Sequence, residues 1–156
     1  MRAVSLSRAT FEAVVAQAER DFPFETCGFI VGTAAAQEVR AVTNIQNRKH
    51  AEDPAAFPRD GKTAFLMDPH EQLAILVEID RRGLSLLAVY HSHPDHDAYF
   101  SETDRRQACS FDPNQPDYPD TAHIVLSVKG GRFARAAAFM WDADKRDFAE
   151  AEIVVK

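Results

Sequence analysis

The chain has 156 residues, enough for one domain with its own core, and we expect a single domain over 1–156. Its net charge of −6 at pH 7 argues against binding to nucleic acid or an anionic membrane, because phosphate groups would repel it. No stretch approaches the roughly 18 apolar residues that a membrane-spanning helix needs. Only two cysteines occur, without a CxxC pair, which excludes a disulfide framework and predicts a cytoplasmic protein with reduced thiols.

The first half of the chain predicts one helix and three strands. Residues 7–20 carry apolar side chains at helical spacing, with Ser7 as a cap, and therefore predict a helix. Glu12 and Glu19 interrupt its apolar residues, so the stretch does not resemble a secretory signal. Short apolar runs between turn residues predict strands at 25–33, 38–45 and 64–68. The polar segment 46–62 contains two prolines and is expected to be a loop.

The second half predicts two helices and four strands. Pro69 at a first helical position and Gly83 past the last one indicate a helix between them. Three of its apolar side chains are expected to face the core: Leu73, Leu76 and Val77. A second helix starts at Ser101 and runs to about Cys109, and strands are predicted at 85–93, 122–129, 132–141 and 148–155. The order α-β-β-β-α-β-α-β-β-β predicts an α/β domain with helices packed on a mixed sheet.

One segment combines several residues that can bind a metal. His91 and His93 are two apart at the end of an apolar strand, so both imidazoles point to the same face. Pro94 ends the strand and lets the chain turn over that face. Ser101 and Asp104 have the spacing of a helix start, which brings Asp104 back toward the two imidazoles.

Two imidazoles and one carboxylate make a three-ligand set. Such a set leaves the fourth tetrahedral position open for water, as catalytic zinc sites require. Bound zinc lowers the pKa of its water to about 7, but a base must still accept the proton. Glu25 is the candidate base, at the edge of an early buried strand whose Gly28 permits close packing.

Each element also has an ordinary structural interpretation. A lone H-x-H pattern arises by chance, S-x-x-D is by itself a helix cap, and an isolated Glu25 is most simply a solvated carboxylate. The argument for a metal site rests on their joint occurrence, since buried imidazoles at the end of an apolar strand are costly without a partner.

The joint pattern resembles a known family. H-S-H-P, six residues, then S-x-x-D, with a glutamate upstream, looks like the JAMM motif of MPN-plus metallopeptidases. The resemblance extends to E-T-C-G-F-I-V-G early in the chain, F-x-x-D-P before the middle helix and YPDTAHIVLSV after the motif. It covers nearly the whole chain and is closest to the compact prokaryotic members.

The resemblance implies a single MPN domain of cytidine-deaminase-like architecture that uses one zinc ion per chain. His91, His93 and Asp104 would bind zinc, Glu25 would activate water, and Ser101 would donate a hydrogen bond to the oxyanion. The implied reaction is hydrolysis of the peptide or isopeptide bond after the C-terminal glycine of a ubiquitin-like, β-grasp protein. The implied partners are therefore ubiquitin-like or sulfur-carrier proteins and their conjugates.

Two other functions also use residues of these types. Two histidines and a carboxylate also describe the facial triad of non-haem iron oxygenases, but the H-x-D…H order and an arginine context for a 2-oxo acid do not appear. A non-catalytic MPN scaffold would typically lack the metal ligands, which are all present here. The remaining histidines are interpreted as surface or structural: His50, His70, His96 and His123. Both cysteines are expected to be small buried hydrophobic residues.

Overall fold

In the computed structural model, which describes residues 2–33 and 35–156, the chain forms a seven-stranded sheet with helices against it. The strands are β1 Ala3–Leu6, β2 Cys27–Gly32, β3 Gln37–Ala41, β4 Ser85–Pro94, β5 Ala122–Lys129, β6 Arg132–Asp142 and β7 Asp147–Val155. The helices are α1 Arg8–Asp21, α2 Gln46–Glu52, α3 Pro69–Arg82 and α4 Glu102–Ala108.

The sheet is mixed, with the strand order β1-β7-β6-β5-β4-β2-β3. The pairs β1–β7 and β4–β5 are parallel, and the other neighbours are antiparallel. Strand β4, which ends with the two predicted metal-binding histidines, lies between β2 and β5 inside the sheet. This arrangement confirms the predicted α/β fold with a mixed sheet flanked by helices.

One face of the sheet packs on helix α1 and the other carries the predicted site, as the residues of strand β4 show. Successive strand residues point to opposite faces. Tyr90 belongs to the core that β4 forms with Val14 and Ala18 of α1. Val89 points the other way, into a second core with Ile75 of α3. His91 and His93 continue the Val89 side, so helix α1 supports the sheet from behind and the site faces α3 and α4.

Three local predictions were wrong. Strand β1 was missed because it is a four-residue edge strand with alternating exposed and buried residues, held by nonlocal pairing with β7. Helix α2 occupies part of the predicted loop 46–62; its first residue has no side-chain cap, so no capping signal marks it. The predicted strand 64–68 makes only an isolated bridge between Asn44 and Met67.

The predicted core face of helix α3 was also wrong. Leu73 and Val77 are 61% and 58% exposed, whereas Ile75 is buried and Ile79 packs against the same cluster. Apolar residues occur on nearly every side of this helix, so their spacing does not define which side is buried.

Gly28, in the strand that follows Glu25, lies where the backbone packs closely against a neighbouring side chain. Gly28 of β2 lies opposite Tyr90 of β4, and the Tyr90 hydroxyl donates to the Gln17 side chain of α1. A Cβ atom on Gly28 would lie 2.3 Å from the Tyr90 hydroxyl oxygen and 2.7 Å from the Arg40 carbonyl oxygen. Only glycine therefore lets α1, β2 and β4 pack at this distance.

The replacement Gly28→Ala should destabilise the fold by about 1–3 kcal/mol, because the added methyl group overpacks a core that cannot relax without moving backbone. The measurement is urea unfolding, in which the midpoint should fall while the slope stays constant. An unchanged midpoint would contradict the close approach.

Candidate metal centre and active site

The end of strand β4 presents two buried imidazoles side by side. His91 and His93 project from the same face, and their Nε2 atoms lie 3.2 Å apart. Ser92 between them points to the opposite face and is fully buried. The Nδ1 atom of His93 is 2.9 Å from the carbonyl oxygen of Asp97, and this contact orients the ring so that Nε2 faces His91.

The first turn of helix α4 brings a carboxylate to the imidazoles. Ser101 and Asp104 form a capping box: the Asp104 amide donates to Ser101 Oγ and the Ser101 amide donates to Asp104 Oδ2, each at 3.0 Å. The same Oδ2 atom lies 3.1 Å from His91 Nε2 and 3.2 Å from His93 Nε2. The capping interpretation of S-x-x-D is therefore correct, and the cap is what aims Asp104 at the histidines.

Glu25 approaches the imidazoles from the segment just before strand β2. One ligand atom from each of Glu25, His91 and His93 lies within 4.8 Å of the other two. Glu25 is only 6% exposed, so it is not the solvated carboxylate that an isolated glutamate suggests. Its amide donates to the Gly61 carbonyl at 2.7 Å, and its carbonyl accepts from Asn44 Nδ2 at 2.9 Å.

A pair of hydrogen bonds ties the Glu25 segment to the histidine strand. The Thr26 amide donates to Ser92 Oγ at 2.8 Å, and the Ser92 amide donates to the Thr26 carbonyl at 3.1 Å. Because Ser92 lies between the two histidines in the strand, these bonds fix the residue after Glu25 to the backbone segment that carries both imidazoles. All five predicted site residues are thus brought to one place: Glu25, His91, His93, Ser101 and Asp104.

The two carboxylates differ in ionisation. Burial and, to a smaller extent, the charge of Asp104 raise the pKa of Glu25 to about 9, against the opposing charge of Arg59. Burial also disfavours the charged form of Asp104, but the charge and hydrogen bond of His91 and the hydrogen bonds from His93 and Ser101 outweigh it. These interactions hold the pKa of Asp104 well below its usual range. Asp104 is therefore charged while Glu25 readily holds a proton.

The donor atoms have the spacing that a zinc ion requires. Tetrahedral zinc with bonds of about 2.0–2.1 Å places neighbouring ligand atoms roughly 3.3 Å apart. The two Nε2 atoms and Asp104 Oδ2 form a triangle with sides of 3.1, 3.2 and 3.2 Å. Two nitrogen donors and one carboxylate oxygen are also a ligand set that zinc accepts. The residues present fit this metal.

A cleft of about 370 Å³ opens over the carboxylates and His93. It is lined by Glu25, Arg59, Thr63, Ala64, Phe65, His93, His96, Tyr99, Ser101, Thr103, Asp104 and Gln107. The Phe65 ring stacks on His91 at a centroid distance of 4.6 Å, and Tyr99 meets the edge of His93 at 5.1 Å. A substrate therefore reaches the site between aromatic walls.

Among the lining residues that sequence reasoning missed, three have large side chains that bear on substrate binding: Arg59, Phe65 and Tyr99. Phe65 begins the F-x-x-D-P pattern, which supported the family resemblance but assigned no role to the Phe65 side chain. Tyr99 and Arg59 lie in polar segments that were treated as loops, and neither has a local signal for a site. His96, which the sequence analysis interprets as surface or structural, also lines the cleft.

Comparison with known proteins identifies the family. Residues 7–139 match the family described as prokaryotic homologs of the JAB domain. The chain is 32% identical to a desampylase of Haloferax volcanii over 136 residues, covering 87% of this chain and 81% of that protein. The chain therefore belongs to the prokaryotic JAB family, as the JAMM resemblance predicted. In general, this family depends on zinc.

Two further relatives are named for different substrates. A probable TtuB-protein conjugate cleaving protease of Thermus thermophilus is 34% identical, over 65% of this chain and 60% of its own length. A CysO-cysteine peptidase of Mycobacterium tuberculosis is 26% identical, over 75% of this chain and 68% of its own length. A solved JAB1/MPN domain protein of Archaeoglobus fulgidus shares the fold, with a TM-score of 0.51, 16% identity and 99% of each chain covered.

Within the described part of the chain, no helix has the length and apolarity to cross a membrane.

His123 is a buried structural residue and not a surface residue. It lies on β5 on the same face of the sheet as His91, packed against the rings of Phe100 and Phe148 at centroid distances of 5.3 and 5.1 Å. Its Nε2 atom is buried and makes no hydrogen bond within the described residues. Burial lowers the pKa of His123 from 6.5 to about 4, with a smaller contribution from His91 that Asp104 partly opposes.

This lowered pKa predicts a loss of stability in acid. Between pH 6.5 and about pH 4 the unfolded chain binds a proton at His123 that the folded chain does not, so stability falls as the pH falls. The loss is at most about 3 kcal/mol. His123→Phe should remove this component, so that its unfolding free energy relative to wild type rises between pH 6.5 and pH 4. The measurement is urea unfolding with a chelator present, and a constant difference over this range would contradict the assignment.

Proposed function

We propose that the chain is a zinc metallopeptidase that hydrolyses the bond after the C-terminal glycine of a ubiquitin-like, β-grasp protein. The observation that carries the proposal is the convergence of His91 Nε2, His93 Nε2 and Asp104 Oδ2 at 3.1–3.2 Å beside an open cleft. The bond is the peptide or isopeptide link to the group that leaves. Sulfur-carrier proteins with the same fold and a glycine tail belong to the proposed substrate class.

The proposed ligands of one zinc ion are the two imidazoles and Asp104. Glu25 also lies near both imidazoles, so the choice of carboxylate needs an argument. Asp104 is fixed by the capping box, touches both Nε2 atoms with one oxygen, and is charged. Glu25 stands apart from that contact and has a pKa raised to about 9, which suits a group that accepts and returns a proton.

When bound, zinc supplies a Lewis acid that polarises a carbonyl and lowers the pKa of water to about 7. Glu25 takes a proton from the attacking water and gives it to the leaving amine. A cation bound beside Glu25 would lower its pKa, because it would favour the charged form. Ser101 Oγ accepts from the Asp104 amide and lines the cleft, so its own proton is available for the oxyanion of the tetrahedral intermediate.

The cleft supports a tail of small residues as substrate. Phe65 and Tyr99 narrow the approach to the imidazoles, and glycines let a backbone pass such walls without side-chain collision. The relatives' names describe a TtuB-protein conjugate and CysO-cysteine as substrates, which supports the same class here. The folded body of the modifier would supply much of the affinity.

The two rival functions are less well supported. Membership of the JAB family argues against a non-haem iron oxygenase. A non-catalytic scaffold has no need of a base within 4.8 Å of two imidazoles, or of a capping box that aims a carboxylate at them. We further propose that the enzyme acts in the cytoplasm, because both cysteines are free and buried.

The test is cleavage of a β-grasp protein whose Gly-Gly tail is fused to extra residues, followed by mass spectrometry. Wild-type enzyme loaded with zinc should cut after the last glycine. Glu25→Gln should keep its zinc and lose turnover by about 10²–10⁴, because a general base contributes about that factor. Glu12→Gln, an exposed glutamate on α1, is the matched control and should behave as wild type.

Two results would contradict the proposal. An intact fusion with zinc-loaded wild-type enzyme would exclude this substrate class. Turnover by Glu25→Gln close to that of Glu12→Gln would place the base elsewhere.

A further inference from the structure

Arg59 brings a permanent positive charge to the mouth of an otherwise acidic cleft. It lines the same cavity as Glu25 and Asp104. Several other arginines contact a carboxylate within 4.0 Å: Arg20, Arg40, Arg48, Arg82, Arg105 and Arg135. Within the described residues Arg59 makes no such contact, and its side chain is exposed to the cleft and solvent. The guanidinium is therefore free to bind an anionic group of a ligand.

The backbone that carries Arg59 is attached to the backbone of Glu25. The Glu25 amide donates to the carbonyl of Gly61, two residues after Arg59, at 2.7 Å. The Gly61 amide donates to Asn47 Oδ1 at 2.7 Å, and the Arg59 carbonyl accepts from Gln46 Nε2 at 2.9 Å. These contacts to α2 hold residues 59–61 as a strap beside Glu25.

Arg59 belongs to the Glu25 side of the cleft. Its segment is bonded to Glu25 through the Gly61 carbonyl, whereas Asp104 is held by the Ser101 amide and contacts the two imidazoles. Ser101, the proposed oxyanion donor, is next to Asp104 in the capping box. The cation therefore lies toward the group that protonates the leaving amine rather than toward the oxyanion donor.

We propose that Arg59 binds the α-carboxylate of a leaving group that is a single amino acid, and so selects carrier proteins extended by one residue. This inference rests on the proposed function. In an α-amino acid the amine and the carboxylate share one carbon, which puts the carboxyl carbon roughly 2.5 Å from the nitrogen that Glu25 protonates. The planar guanidinium of Arg59, on the Glu25 side of the cleft, can donate two parallel hydrogen bonds to such a carboxylate.

The reaction balances as hydrolysis. The oxygen of water bonds to the glycine carbonyl carbon, the carbon–nitrogen bond breaks, and Glu25 passes the proton of that water to the amine. The products are a carrier with a free glycine carboxylate and one free amino acid. An isopeptide to a lysine side chain offers no carboxylate next to the scissile nitrogen, so Arg59 distinguishes the two kinds of leaving group.

The experiment uses one β-grasp carrier with a Gly-Gly tail, extended either by alanine with a free carboxylate or by alanine amide. For wild type, kcat/KM should favour the free carboxylate by about 10- to 100-fold, as expected for a hydrogen-bonded charge pair. In Arg59→Gln this preference should fall to about one. Arg59→Lys should keep an intermediate preference, because lysine retains the charge but cannot make the bidentate hydrogen bond of a guanidinium. Arg48→Gln, which removes the same charge from α2 outside the cleft, should keep the wild-type preference.

A second measurement does not depend on turnover. In the Glu25→Gln background, calorimetry should give tighter binding of the carboxylate form than of the amide form, and Arg59→Gln should abolish the difference.

Several results would overturn the assignment. Equal wild-type rates on the two carriers would remove the selection while leaving the peptidase proposal intact. An unchanged preference in Arg59→Gln would place the carboxylate elsewhere. An equal fall on both carriers would mean that Arg59 acts on Glu25 or on the oxyanion. If wild type cuts neither carrier and binds both equally, the proposed function and the role of Arg59 fail together.

Discussion

One carboxylate oxygen joins two elements that are otherwise separate in the chain. Asp104 Oδ2 accepts the amide of Ser101 at the start of α4 and contacts the imidazoles of His91 and His93 at the end of β4. The capping box fixes where this oxygen lies, and the strand fixes where the imidazoles point. The ligand triangle therefore results from ordinary secondary-structure rules applied at one strand end and one helix start.

The proposed base is positioned by a different set of contacts. Ser92 holds Thr26 by two hydrogen bonds, and Gly61 holds the Glu25 amide. Behind them, the close packing of Gly28 against Tyr90 sets the distance between β2 and β4. Glu25 precedes β2 and is bonded to Gly61, whereas the proposed ligands lie on β4 and α4. The two carboxylates differ in ionisation because burial dominates at Glu25, while His91, His93 and the Ser101 amide outweigh burial at Asp104.

Much of the site could be predicted from the sequence, because its residues are close in the chain and obey local rules. Period-two alternation put His91 and His93 on one face, and the S-x-x-D spacing predicted the cap that aims Asp104. Glu25 was a candidate base from its place at the edge of an early buried strand, and family resemblance supported it, although no local rule connects it to His91, 66 positions later. The fold class was confirmed, as was the family.

What could not be predicted depends on nonlocal contacts. Strand β1 exists through pairing with β7 at the other end of the chain. Helix α2 lacks a cap and is held by side chains such as Gln46, so its polar sequence indicated a loop. Arg59 enters the cleft only because the strap after α2 is bonded to Glu25. On α3 the apolar residues surround the helix, and only packing decides that Ile75 is buried.

The central claim is that Asp104, and not Glu25, completes the metal site with the two histidines. The most direct test is anomalous diffraction at the zinc edge from crystals of the zinc-loaded protein. If Asp104 is the third ligand, one peak lies about 2.0–2.2 Å from His91 Nε2, His93 Nε2 and an Asp104 oxygen, with Glu25 outside bonding distance. A peak bonded to Glu25 and both imidazoles, with Asp104 unbound, would contradict it.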